Sequence, residues 1–169
     1  VSLLGHLSGA VNGSSIARKS SFLQKALGEA VFAPGIRITD DPLRVRGLAS
    51  RPFDGEGVAA EAFDLVTDGV LQRWFLDSST ARELGLETNG RAVGGGSNPH
   101  PSATNLTLLP GERTPEQLIA DIGEGLYVTE LIGHGANGVT GDYSRGASGY
   151  RIRGGQLAEA VSEITIAGN

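Results

Sequence analysis

The apolar residues near the start of the chain fall at Leu3, Leu4 and Leu7, which share one face of a helix. The pattern breaks at Asn12-Gly13 and resumes with Ile16, Phe22, Leu23 and Leu27 before Gly28, so a helical segment is predicted over roughly 1–28. Beyond it the period shortens. "IRI" and "LRVRGLA" read as short strands, and "AFDLVTDGVLQRWFL" places Asp68-Gly69 between two runs of β-formers, a hairpin signal. "SSTARELG" predicts a small helix closed by Gly85, and "ETNGRAVGGGSNPH" a loop. "SATNLTLL" reads as a strand. Thr114, Pro115 and Gln117 then supply N-cap, first-turn proline and capping-box partner for a further helix. "LYVTELI", the two halves of "YRIRGGQLAEAV" around Gly154-Gly155, and "EITIAG" complete the strands.

A run of strands with few helices and no regular βαβ alternation predicts an α+β fold, mainly antiparallel sheet, barrel-like or strongly twisted. The 169 residues are expected to form a single domain, a helical segment over 1–28 followed by a β-rich body over 36–169. Composition sharpens this. The 26 glycines follow no G-X-Y period and favour turns and bulges over a helical bundle. A net charge of -5 removes the basic footprint of a protein that grips nucleic acid directly. With no cysteine, disulfides and thiolate chemistry are out, and no apolar run reaches the length of a membrane span. The absence of methionine and the abrupt apolar start read as a piece of a longer protein, with removal of an initiator Met the alternative.

The glycine-rich stretch Ile132–Tyr150, "IGHGANGVTGDYSRGASGY", is the first candidate for chemistry. Gly133, Gly135 and Gly138 spell G-x-G-x-x-G, yet a dinucleotide site needs a helix next, and Gly141, Gly146 and Gly149 forbid one. Asp142 after Gly141 also fails the P-loop pattern and would repel phosphate. His6, His100 and His134 are scattered, without the spacing of a helical zinc motif. No G-x-S-x-G elbow occurs; Gly146-Ala-Ser148-Gly149 is one residue short. In "RPFDGEG" the acids Asp54 and Glu56 either help bind a cation or shape a glycine turn, pairing with Arg51 or capping backbone N–H groups.

Several stretches together, "ARKSSFL", "RGLASRPFDGEGVAA", "VTDGVLQRWFLDSSTARELGL", "ATNLTLLPG", "GLYVTELIGHGANGVTGDYSRGASGY" and "EITIAGN", resemble in order and spacing the PmbA (TldE) branch of the TldD/TldE metallopeptidase family. The resemblance covers nearly the whole chain. It implies a C-terminal domain of a cytoplasmic protein that pairs with a TldD-type subunit to cleave peptides, with links to leader-peptide removal and to modulation of DNA gyrase. In the TldD branch a helix carries H-E-x-x-x-H, whose histidines bind zinc beside a glutamate base. Sliding that motif along "LLGHLSGAVNG" puts Gly5 and Ala10 at the histidines and His6 at the glutamate, and the family's cysteine ligand has no counterpart among the 169 residues. The resemblance therefore implies no catalytic, cofactor or metal residue in this chain, zinc being held by the TldD-type partner. Arg51, Asp54, Glu56, His134, Asp142, Ser144 and Arg145 are the candidate contacts to a peptide or to the partner, a peptide docking along a strand edge or the partner lying against the glycine loop. Self-association in isolation stays open. The alternative is an independent hydrolase whose metal or Ser/His/Asp site converges only in space.

Overall fold

The computed structural model describes residues 2–94, 96 and 98–169. Val1, at the head of the expected helix, and Gly95 and Ser97, in the expected loop, lie outside the described residues. The backbone divides into two compact units, Val1–Pro110 and Gly111–Asn169. In chain order the first carries α1 (Ser2–Ala10), α2 (Gly13–Ala17), β1 (Ile38–Asp40), β2 (Phe63–Thr67), β3 (Val70–Leu71), α3 (Ser78–Leu84), β4 (Ala92–Val93), β5 (His100–Pro101) and β6 (Leu106–Leu108). The second carries α4 (Pro115–Ala120), β7 (Glu124–Ile132), β8 (Tyr143–Arg153) and β9 (Gln156–Gly168). Every sheet pairing is antiparallel, in the orders β3-β2-β1-β6, β4-β5 and β7-β8-β9. The α+β class is as expected, with open sheets rather than a closed barrel. No helix among the described residues is long and apolar enough to cross a membrane.

Local chemistry explains the elements. Asp68 and Gly69 take φ of 50° and 80°, the left-handed pair a tight hairpin needs, and Gly154 and Gly155 repeat the device between β8 and β9 with 53° and 77°. Asp77 caps α3 through a capping box with Thr80, and Gly85 ends the helix at φ 69°. Thr114 and Gln117 form the expected box on α4.

Three expectations are corrected. The second part of the N-terminal helical segment stops at Ala17 instead of reaching Leu27. Lys19 turns left-handed at φ 56°, and buried Ser21 donates its hydroxyl to the carbonyl of Ala10 at 2.5 Å while accepting from the Leu23 N–H. The chain thus folds back against α1, burying Leu23 and leaving Phe22 exposed. "LRVRGLA" forms no strand either. Arg46 sits at φ 58°, and Gly47 lies so close to Asn105 that a Cβ would come within 2.6 Å of its Oδ1. The strand expected from Ser102 begins only at Leu106, because Thr104 turns its N–H and hydroxyl toward Asp40.

The core of the first unit joins Leu7, Val11 and Leu23 to Ile38, Leu65, Val66 and Leu71 from the four-stranded sheet and to Phe75 from the segment after β3. Each such large side chain contributes about 1.5–3 kcal/mol by leaving water. Beside this core lies a buried ion pair. Arg91, fully buried, donates from Nε to Asp40 Oδ2 at 2.6 Å, from Nη1 to the Asn89 carbonyl at 2.8 Å and from Nη2 to the Glu61 carbonyl at 2.7 Å. Its guanidinium stacks 4.4 Å from the Phe63 ring centroid. Asp40 also accepts the Thr104 N–H and hydroxyl at 2.8 and 2.9 Å. Removing one member strands the other charge away from water, so Arg91→Met or Asp40→Asn alone is expected to cost about 3–5 kcal/mol in urea unfolding. The combined Arg91→Met, Asp40→Leu chain is expected to recover much of that loss.

Candidate functional site

The residues singled out in the sequence fall into two groups, one in each compact unit. In the first, Asp54 is buried and all its polar contacts are to backbone: Oδ1 accepts from the N–H of Glu56 at 2.9 Å and of Val58 at 3.0 Å, and Oδ2 from Ala92 at 3.0 Å. Gly55 donates in turn to the Ala92 carbonyl at 2.9 Å. The carboxylate therefore fastens the "RPFDGEG" turn onto β4, the backbone-capping alternative of the two readings. Glu56 is exposed, and its Oε2 accepts the Ser78 N–H at 2.8 Å at the start of α3. Arg51 makes no ion pair with either acid; its Nε and Nη2 are buried without a hydrogen-bond partner among the described residues. Its charge is felt by Arg91, whose pKa is lowered chiefly by burial, with Asp40 opposing and Arg51 adding to the effect. Arg51, Asp54, Arg91 and Asp40 thus form one electrostatic group that shapes the loop.

Arg91 and Thr104 have no counterpart among the sequence candidates. Arg91 lies inside the stretch read as a loop, and only its Asp40 partner, 51 residues earlier, marks it as buried.

The second group surrounds the glycine stretch between β7 and β8. Asp142 accepts the Thr140 hydroxyl at 2.6 Å and the Asn169 amide at 2.8 Å, and these two bonds, in that order, hold its pKa below the usual aspartate range. Asn137 Oδ1 accepts the N–H groups of Val139 and Thr140, at 2.9 and 3.3 Å, and Gly141 N–H donates to the Asn137 carbonyl at 2.9 Å. The turn is closed by its own polar groups. Ser144, an exposed residue, donates its N–H to the Gly135 carbonyl at 2.7 Å, and a Cβ on Gly135 would collide with the Ser144 carbonyl. Arg145 donates from Nη2 to the Leu131 carbonyl at 3.1 Å, while its Nε is buried without a partner among the described residues. His134 is exposed. The structure thus sets Asp142 at the end of a turn closed by hydrogen bonds and Ser144 and Arg145 in the first residues of β8, opposite Ala167 and Ile166 of β9.

On α1, Gly5 faces open space and neither it nor Ala10 carries a donor atom, and among the described residues no group of three or more His, Cys, Asp or Glu side chains is placed to hold a metal. The close approach at Gly135 makes a clear expectation. Gly135→Ala should cost about 1–3 kcal/mol, read as faster amide exchange along β8. Gly138→Ala, whose Cβ meets nothing within 4 Å, should stay within about 0.5 kcal/mol of the parent.

With this geometry in hand, comparison with known proteins is informative. Metalloprotease PmbA of Escherichia coli O157:H7 is 46% identical over 167 residues, covering 99% of this chain and 35% of that protein. A TldD homolog from Haemophilus influenzae is 30% identical over 155 residues, covering 90% of this chain and 32% of its own length. Among solved structures, a proposed modulator of DNA gyrase from Thermotoga maritima superposes with a TM-score of 0.89 at 34% identity, over 100% of this chain and 39% of that one. TldE from Thermococcus kodakarensis shares the fold at a TM-score of 0.81, covering 96% of this chain and 38% of its own. The chain therefore spans between 32% and 39% of the length of each of these relatives. The PmbA/TldA metallopeptidase C-terminal domain matches from residue 1 to 169, and the chain belongs to that family.

Proposed function

We propose that this chain serves as the C-terminal domain of a PmbA/TldE-type subunit that does not itself cut, and that completes a zinc peptidase with a TldD-type partner acting on peptides in the cytoplasm. What supports this reading is the make-up of α1, where Gly5 and Ala10, which the resemblance sets at the positions of the zinc-binding branch's histidines, carry no ligand atom. A general base must reach its water by hydrogen bond and a metal must lower that water's pKa; glycine and alanine supply neither. What this chain's residues can do is hold and orient. Asp142 presents a carboxylate on a turn already shaped by hydrogen bonds, and Ser144 and Arg145 present a hydroxyl and a guanidinium from the first residues of β8, so little ordering entropy is spent when a peptide or a partner subunit meets them. In this reading Arg51, Asp54 and Glu56 act through loop shape and His134 as an exposed contact. Links to leader-peptide processing or to gyrase run through the peptides that the pair cleaves.

Metal analysis of the purified chain is expected to find no stoichiometric zinc, and one tightly held zinc per chain would refute this. In a pair reconstituted with a TldD-type subunit and assayed on an unstructured peptide, His6→Ala should leave cleavage within about a few-fold of the parent, whereas Arg145→Ala should weaken pairing or raise KM. Robust cleavage by this chain alone, abolished by His6→Ala, would replace the subunit reading by that of an independent enzyme.

A further inference from the structure

Three asparagines of the chain are followed directly by glycine: Asn12, Asn89 and Asn137. Such a pair carries its own reactants. The glycine nitrogen closes an imide ring when it attacks the asparagine side-chain amide carbon, Cγ, and glycine has no Cβ to hinder the approach. The reaction needs a glycine N–H not spent on another acceptor, a side-chain amide that can be released, and access for water.

Two of the three pairs are locked. Asn12 donates from Nδ2 to the Pro101 carbonyl at 2.6 Å, and the buried Gly13 donates its N–H to the Phe75 carbonyl at 2.8 Å. Asn89 accepts the Leu76 N–H at 3.0 Å and donates to the Trp74 carbonyl at 2.8 Å, while Gly90 is buried against Ala59. Asn137-Gly138 differs in each respect. Both residues are exposed. Neither the Gly138 N–H nor Asn137 Nδ2 has a hydrogen-bond partner among the described residues. A Cβ on Gly138 would meet nothing within 4 Å, so its backbone has room to turn. Asn137 Oδ1, accepting the N–H groups of Val139 and Thr140, keeps Cγ and the Gly138 nitrogen within one small hydrogen-bonded ring and draws electron density from the carbon to be attacked.

We propose that Asn137-Gly138 is a site of spontaneous covalent modification, at which the folded chain converts its own asparagine to isoaspartate and aspartate with water as the co-reactant, and that the isoaspartate form opens the turn between β7 and β8. A base takes the Gly138 N–H proton, the bond from Gly138 N to Asn137 Cγ forms, the Cγ–Nδ2 bond breaks, and the amide nitrogen leaves as ammonia with a proton in place of that bond. Water then opens the imide. Addition at Cγ restores the original main chain and gives aspartate; addition at the main-chain carbonyl carbon leaves Gly138 joined to Cγ and gives isoaspartate. Nothing is oxidised or reduced. In the aspartate product Oδ1 still accepts the Val139 and Thr140 N–H groups. In isoaspartate the main chain runs through Cβ and Cγ, and the carbonyl that accepts the Gly141 N–H becomes part of a free carboxylate, so the bonds that close the turn are displaced. This chemistry rests on the turn alone and is independent of the peptidase-subunit reading.

Cleavage after arginine places each pair in its own peptide, 1–18, 83–91 and 114–145, with no second asparagine in any of them. The folded chain is aged in mildly alkaline buffer and digested under mildly acid conditions, where the imide does not form. Mass spectrometry follows the exchange of amide NH₂ for OH, and an isoaspartate carboxyl methyltransferase distinguishes the two products. The 114–145 peptide is expected to convert at least about tenfold faster than the other two, and in urea the three should draw level, because the locked pairs react only after opening. Gly138→Ala, which leaves the turn intact, is expected to slow the conversion roughly tenfold or more. Aged chains separated by their added negative charge and carrying isoaspartate should show faster amide exchange at Val139, Thr140 and Gly141, whereas Asn137→Asp should keep the exchange of the fresh chain. Conversion of 114–145 in the folded chain no faster than that of the other peptides overturns the proposal, as does a Gly138→Ala chain that converts at the parent rate. Unchanged exchange at those three amides in the isoaspartate fraction overturns the opening of the turn.

Discussion

A charge enclosed by protein is costly unless it is paired and hydrogen-bonded, and the first unit is organised around meeting that condition for Arg91. Its guanidinium reaches β1 through Asp40, the segment before β2 through the Glu61 carbonyl, and its own approach to β4 through Asn89. Asp40 extends the network to Thr104. Short strands of two to five residues bury too little to fix their own arrangement. One ion pair with exacting geometry removes alternatives that apolar packing would tolerate, because a shifted register leaves a bare charge in the interior.

Asp54 applies the same logic to a turn. Three backbone N–H groups converge on one carboxylate, so the glycine-rich "RPFDGEG" segment acquires a single shape despite its permissive composition. The glycine stretch of the second unit is held comparably by Asn137 and Asp142. In both places glycine supplies room and an acid or amide supplies order. The freedom implied by composition is largely removed by a few side-chain acceptors.

This explains what was legible in the chain beforehand. Features written locally, such as the Asp68-Gly69 hairpin, the Thr114 capping box and the Gly154-Gly155 turn, depend on residues within a few positions of one another and are found as read. The alternating "LRVRGLA" misleads because its backbone is decided by the left-handed Arg46 and by Asn105, more than fifty residues away. Arg91 is silent for the same reason: an arginine among glycines looks solvated until Asp40 is folded against it. Family membership was legible through whole-length motifs.

β9 has a consequence of its own. It pairs with β8 along one side, and near Glu163 the ladder slips, Ala147 facing Ile164 while Gly149 faces Val161. Glu163 itself stands at φ 56°, which throws the strand out of its pleat. Thirteen residues of straight strand would offer a continuous template for stacking chain upon chain into fibrils. A kink carrying a carboxylate in the middle of that length interrupts the template, because backbone turned out of the pleat presents no regular row of N–H and C=O groups to another chain there.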